Sequence, residues 1–312
     1  MPTLPGSDVE IFPVNLGGNP FGWTADEQTS FAVLDAFHAA GGTFVDTADA
    51  YCAWAEGATG GESEQIIGRW LSDRGLREEV VVATKVGAKP DRKGLRPETV
   101  RTAVEESLQR LGTDHLDLCY LHYDDEEVPV LEQVSTMDAL VRIGRVRAVG
   151  LSNFAPERMR EWFQTAEQEG LTVPAAVQPR YSLVSRADYE QHLSPVLADF
   201  GPMVFSYPAL ASGFLTGKYR TEDDLAGAPR GSAARRYLEA GGLRVVDELV
   251  RVAERYDAAP GTVAVAWLLA KGVTAPIASV SRPEQIPALM RAASLELSEE
   301  DVTALDAASA GF

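Results

Sequence analysis

From residue 24 onward, apolar positions switch repeatedly between helical and extended spacing. In TADEQTSFAVLDAFHAAGG, Val33, Leu34, Phe37 and Ala40 share one helical face. Thr24 and Glu27 read as a capping box there, and Gly41 and Gly42 end the helix. The run TFVDT predicts a strand. ESEQIIGRWLSDR predicts a helix with Ile66, Ile67, Trp70 and Leu71 on its apolar stripe, and EVVVATK a further strand. The clearest helix comes next. Pro97 occupies a first-turn position, Val100, Val104, Leu108 and Leu111 recur at helical spacing, and Gly112 closes it. It leads into the strand HLDLCYLH.

The alternation continues with a helix near Pro129 to Ile143, the strand VRAVGLS, a helix over Pro156 to Gln168 and the short strand AAVQ. A helix near Tyr189 to Ala198 precedes the strand MVFSY. Pro208 to Gly242, rich in Gly, Ala and Arg, carries no strand signal and reads as a long functional or mobile loop. Helices resume at Leu243 to Tyr256 and Thr262 to Ala270, with a strand near APIAS and helices over Pro283 to Ala293 and Ser298 to Ala308. About eight strands, each followed by helix, predict an α/β fold of the (β/α)8 or TIM-barrel type. No Pro/Gly-rich linker divides residues 1–312, so they read as a single domain.

The composition narrows the function classes. The chain has 28 Lys and Arg against 46 Asp and Glu, a formal charge of -18, which repels nucleic acid and anionic bilayers over most of the surface. Cys52 and Cys119 stand in no CxxC spacing and beside no histidine cluster, so neither a metal site nor a disulfide scaffold is expected. The start MPTLPGSDVEIFPV lacks the features of a signal peptide, and no window reaches the roughly 18 apolar residues of a membrane helix. A cytoplasmic protein with a small-molecule partner is the expectation; nothing in the sequence specifies an oligomeric state.

In parallel barrels, reactive groups gather where strands end and lead into helices. Counting Asp46's strand as the second, the strand ends carry Asp46, Lys85 and His122, and Tyr51 lies in the loop after Asp46. Each alone fits an ordinary role: turn former, solvated strand end, loop anchor, satisfied histidine. Together they form a set that can perform acid catalysis if they converge. A phenol with an ordinary pKa of about 10 gains acidity from a nearby ammonium, a carboxylate keeps that ammonium charged in a cleft, and an imidazole can orient a carbonyl oxygen.

The spacing DxxxxY at Asp46 and Tyr51, TK at Lys85 and LH at His122 resembles the tetrad of the aldo-keto reductases, especially bacterial members related to potassium-channel β-subunits. GESEQIIGRWL, GLSNF, VQPRYSLV, LASGFLTGKY and APIASVSRPEQI extend the resemblance along nearly the whole chain. It implies a (β/α)8 barrel that binds a nicotinamide cofactor without the GxGxxG of a Rossmann domain, which this chain also lacks. It implies that Tyr51 is the general acid, Lys85 and Asp46 tune it, and His122 orients the carbonyl of an aldehyde or ketone. By the same resemblance, Ser152, Asn153 and Gln178 hold a carboxamide and Tyr207 stacks on the nicotinamide.

Lys218, with the backbone around Leu215 and Gly217, matches a pyrophosphate site; Ser281 and Arg282 match a 2'-phosphate site, and Gln285 an adenine contact. The resemblance favours NADP(H), but many relatives carry a basic residue where Ser279 or Ser281 stands, so Arg282 is the single basic residue here and NAD(H) stays open. Trp23, Trp54 and Tyr123 lie on loops at the barrel mouth and could form an apolar substrate wall. The segment 208–242 could cover the cofactor. Two other readings of the same residues are a Schiff-base aldolase using Lys85 and a cofactor-sensing binding subunit.

Overall fold

The computed structural model describes residues 1–312. Eight parallel strands form one sheet: β1 Asn15–Gly17, β2 Phe44–Asp46, β3 Val81–Val86, β4 Leu116–Leu121, β5 Val146–Ser152, β6 Ala176–Gln178, β7 Met203–Val204 and β8 Ile277–Ala278. Neighbours pair in the order β7-β6-β5-β4-β3-β2-β1-β8. The two ends of this order also meet, through Thr274 N to Val204 O (2.9 Å), Ile277 N to Ser206 O (2.8 Å) and Ala209 N to Ile277 O (3.2 Å). The sheet therefore closes on itself as a (β/α)8 barrel and leaves no free edge.

Helices α1 Glu27–Ala39, α2 Glu62–Arg74, α3 Pro97–Leu111, α4 Val130–Arg142, α5 Pro156–Gln168 and α6 Ser194–Ala198 each join one strand to the next. Four more lie between β7 and β8: α7 Glu222–Leu225, α8 Gly231–Glu239, α9 Leu243–Arg255 and α10 Pro260–Ala270. After β8 come α11 Ile286–Met290 and α12 Glu299–Ala308. No helix is long and apolar enough to cross a membrane.

The predicted elements are nearly all present; beyond β1, which no pattern marked, there are three differences. Helix α1 is capped by Asp26, whose Oδ1 accepts from Thr29 N at 2.8 Å, and not by a Thr24–Glu27 box. Thr24 is unavailable for that position because Trp23, Thr24 and Ala25 all donate their N–H groups to Pro20 O in a tight turn. The stretch 208–242, expected as a long loop, holds a 3-10 turn at Ala211–Thr216 and then α7 and α8. There Thr221 caps α7 reciprocally with Asp224, a local signal hidden inside a Gly- and Ala-rich composition. The helix near Tyr189 begins with a π-turn, Tyr189–Leu193, before α6.

Alternation along the strands divides the core. The larger cluster, 69 residues, lies between strands and helices, whereas only 12 buried apolar residues fill the interior of the cylinder. Most apolar burial therefore sits outside the strands, and the interior can be polar at one end without unmaking the fold. Inward positions repeat every second residue: Phe44 on β2, Val81 and Ala83 on β3, Leu118 and Tyr120 on β4, Ala148 on β5, Ala176 on β6. A side chain at Gly150 would not fit, since a Cβ there would stand 2.4 Å from Tyr120 Cδ1. Leu4 and Ile11, on an N-terminal hairpin bridged at Thr3 and Glu10, pack into this interior and stop up its lower end. Only the opposite end, where the strands finish, is left for a site.

Asp117, on β4 near that lower end, is buried and receives Arg77 Nη1 (2.9 Å), Arg147 Nη1 (3.0 Å) and Val82 N (2.9 Å). Burial opposes its ionisation, but the His115 hydrogen bond and the Arg77 charge prevail and hold the carboxyl below the ordinary aspartate range. A lowered folded pKa gives stability that is present above the unfolded value of about 3.9 and fades as pH falls through the folded one. Asp117→Ala is expected to destabilise the fold by about 3 kcal/mol at neutral pH, because it strands two arginines around a buried void. Urea unfolding checks this, and the gap between variant and wild type should shrink below about pH 4.

Candidate active site

The inward alternation that buries Phe44, Val81 and Leu118 continues upward, and its last positions are polar. Two residues beyond Phe44 is Asp46, two beyond Ala83 is Lys85, two beyond Tyr120 is His122, and two beyond Ala176 is Gln178. Register then sets them side by side, since Lys85 is level with Tyr120 and Asp46 with Ala83.

Lys85 is 1% exposed, and its ammonium has three acceptors: Asp46 Oδ1 at 2.6 Å, Thr47 O at 2.6 Å and Tyr51 Oη at 2.9 Å. Tyr51 Oη also reaches Asp46 Oδ1 at 3.2 Å, and Gln178 Nε2 donates to Asp46 Oδ2 at 2.8 Å. The turn that delivers Tyr51 is tight, for Cys52, directly after it, is buried at a φ of 77° with its Sγ 3.1 Å from Phe21 O. Burial, and then the negative Asp46, push the Tyr51 phenol well above the ordinary tyrosine range. Burial pulls Lys85 down, against Asp46, which holds its proton on. His122 lies with its ring centre 6.4 Å from that of Tyr51 and stacks on Tyr123 at 4.8 Å. Burial, with the Lys85 charge beside it, lowers His122 to about 3, so the ring is neutral at physiological pH. Its Nδ1 is buried without a partner.

A cavity of about 810 Å³ opens above this cluster. Asp46, Tyr51, Gln178 and Tyr207 line one end, together with Trp23 and Trp54. Lys218 lies on the wall, and Ser281 and Gln285 lie on it as well. Lys85 stands behind Tyr51, and His122 and Tyr123 stand beside the cavity and not on its wall. Trp23 and Trp54 meet edge to face at 5.6 Å, and Trp54 is 6.0 Å from Tyr51, so the three rings form one aromatic corner. Ser152 and Asn153 are engaged just outside. Ser152 Oγ donates to Gln178 O (3.1 Å), Asn153 Nδ2 to His122 O (2.9 Å), and the Tyr207 hydroxyl to Asn153 Oδ1.

Three more of the expected residues lie off the wall. Leu215 is buried in the outer core and Gly217 is absent from the wall, because the 3-10 turn directs Ser212, Gly213 and Thr216 to the cavity. Arg282 is exposed and its side chain is off the wall, although its backbone N–H and that of Ser281 are fastened to Gln285 Oε1. Sequence reasoning also missed Arg230 and Asn19. Both line the cavity, joined by Arg230 Nη2 to Asn19 Oδ1 at 2.8 Å, with the guanidinium 5.8 Å from the Trp23 ring. Neither Arg230 nor Lys218 has a carboxylate partner. Arg230 lies in the composition-biased stretch before α8, where no periodicity marks it.

The family model for the aldo/keto reductase family matches residues 13–310. The chain belongs to the aldo/keto reductases. Similar curated proteins include aldo-keto reductase str7 of Strobilurus tenacellus, 32% identical over 91% of this chain and 82% of its own length. Protein tas of Escherichia coli is 29% identical over 97% and 96% respectively, and the NADH-specific methylglyoxal reductase of the same species is 32% identical over 92% and 90%. As a member of this family, the protein is an NAD(P)H-dependent oxidoreductase, and carbonyl reduction is its general chemistry.

Removing the Lys85 ammonium leaves the Asp46 carboxylate buried beneath a half-buried phenol. Lys85→Met is therefore expected to lower stability by about 3 to 5 kcal/mol, and Lys85→Met combined with Asp46→Asn to recover much of that loss. Thermal unfolding of the single and double variants tests the coupling. Strictly additive losses would count against it.

Proposed function

We propose that this reductase converts an aldehyde or ketone to the alcohol with Tyr51 as proton donor, Lys85 and Asp46 setting its acidity and His122 orienting the carbonyl. The observation that supports this most is the contact chain from Asp46 to Lys85 to Tyr51, with the phenol reaching the wall of the cavity of about 810 Å³. In the resting protein the raised phenol keeps its proton, ready for an oxygen that gains charge as the carbonyl is reduced. The ammonium at 2.9 Å then favours the phenolate left behind. A neutral His122 can donate one hydrogen bond to the same oxygen without adding a charge, which supports an orienting role.

The residues present fit a nicotinamide dinucleotide. The cavity has a flat ring, Tyr207, beside the tetrad and two cations without a carboxylate partner, Lys218 and Arg230, on its wall, as an aromatic ring joined to a pyrophosphate requires. When bound, that cofactor supplies hydride. All six of Gln178, Tyr207, Lys218, Arg230, Ser281 and Gln285 line the same cavity, which supports roles for the first two at the cofactor's ring, the next two at phosphate and the last two at the adenosine end. The exposed, unpaired Arg282 beside Ser281 supports NADPH over NADH. The stretch 208–242 contributes Ser212, Thr216, Lys218 and Arg230 to this wall, which supports its role as a cover over the cofactor.

A Schiff-base mechanism gains no support. Asp46 holds the Lys85 nitrogen protonated and each N–H has an acceptor, and an ammonium has no lone pair to attack a carbonyl.

Tyr51→Phe should leave NADPH binding, followed by quenching of protein fluorescence, near wild type while carbonyl turnover drops by about a hundredfold to ten-thousandfold. Wild-type turnover in this variant would remove Tyr51 as the acid. Arg282→Ala should reduce the ratio of kcat/KM for NADPH over NADH; an unchanged ratio would put the 2'-phosphate contact elsewhere.

A further inference from the structure

The tetrad uses one acid of the DTAD run and leaves the other, Asp49, without a role. Asp49 is fully buried. It lies between the loop that carries Tyr51 and the end of the strand that carries Lys85. Its backbone N–H donates to Lys85 O at 3.0 Å, and its Oδ2 accepts from Gly87 N at 3.2 Å. Its Oδ1 is buried and has no partner.

Charged and titratable groups face it from every side. Lys85, bonded to Asp46 of β2, comes from β3, Glu64 from α2, Arg110 from α3 and the Cys119 thiol from β4. Lys89 turns aside to Asp91 at 2.5 Å. Three acids thus stand against two cations, Lys85 and Arg110. Asp46 has Lys85, Gln178 and Tyr51 as donors, and Glu64 has Arg110 at 2.6 Å and Thr84 at 2.5 Å. Asp49 has a single neutral N–H. It is the acid on which the cluster's surplus negative charge is least compensated, and so the one that carries a proton until the pH is raised.

We propose that Asp49 is a positioning residue for carbonyl reduction, a buried carboxyl whose ionisation helps hold the proton on the Lys85–Tyr51 pair and so sets the pH range of the Tyr51 acid. This rests on Tyr51 being that acid. Burial, followed by the like charge of Glu64, brings the Asp49 carboxyl up to about 7, inside the working range of an enzyme. Below that pH the cluster is neutral and the phenol is at its most acidic. Above it, the added negative charge keeps Lys85 protonated and makes Tyr51 a weaker donor, which lowers the rate of proton donation but preserves it to higher pH.

The test is the pH profile of kcat for NADPH-dependent reduction of a nitro-substituted benzaldehyde. Wild type should step down near pH 7 and fall again in alkali. The isosteric Asp49→Asn should lose the step, and its alkaline fall should move to lower pH by about one unit. A scaled copy of the wild-type profile would assign Asp49 a merely structural part and overturn the proposal. Should Asp49→Asn fail to fold, Glu64→Gln removes the neighbouring like charge and should shift the step to the acid side; a step that stays in place overturns the proposal equally. Tyr51→Phe separates the two ideas. If it retains turnover, the acid assignment fails and the Asp49 proposal with it. If it is inactive while Asp49→Asn matches wild type in shape, only the Asp49 proposal fails.

Discussion

The site depends on one buried ammonium. Lys85 is almost wholly withdrawn from water, and such a charge persists only where every proton it carries has an acceptor. Asp46, Thr47 O and Tyr51 Oη supply those acceptors within 2.9 Å. The same three contacts make up the catalytic arrangement proposed for Tyr51. A carboxylate, a carbonyl and a phenol gathered to stabilise a cation are also what bring a tunable proton donor to a cavity, so stability and chemistry share their atoms. Each acceptor comes from the β2 end or the turn after it, whereas the ammonium comes from β3. The pairing of Val45 with Val82 and Asp46 with Ala83 is therefore part of the site.

The barrel makes that arrangement possible by separating apolar burial from polar function. With the larger cluster of core residues outside the strands, the interior column can change character along its length. It runs from Leu4 and Ile11 at the stopped end, through Phe44, Ala83, Leu118 and Tyr120, to Asp46, Lys85 and Gln178 at the open one. Closure between the β7 and β8 regions removes a sheet edge and encloses the column, so the polar end faces a cavity and not bulk solvent. The low proton affinity of His122 and the high one of Tyr51 both follow from that enclosure.

Much of this was legible locally. Helices α2, α3 and α5 and strand β5 match their periodic patterns residue for residue or nearly so, because a heavily buried stripe leaves little freedom in period or register. β1 was harder to see. Its three residues, NLG, sit among glycines and prolines and are too few to alternate. The 208–242 stretch was misread for the converse reason: α7 is a short helix held by its cap and α8 by contact with the 3-10 turn, and their composition reads as loop. The motif gave no sign of where the Leu215 side chain would lie; it is in the outer core, since a 3-10 turn faces successive residues to different sides.

By itself the sequence determined which residue types end the strands, since an acid, a lysine and a histidine after apolar runs are written in linear order, and the period of two decides which side of the sheet each faces. It could not determine which of them touch. That Lys85 spends its protons on Asp46, Thr47 and Tyr51, that Asp49 is left with a single donor, and that Arg230 reaches Asn19 from 211 positions away were decided by tertiary structure alone. Such contacts join residues far apart in the chain through strand register and barrel closure, and their strength comes from exclusion of water, a property of the folded enclosure that no local stretch of sequence possesses.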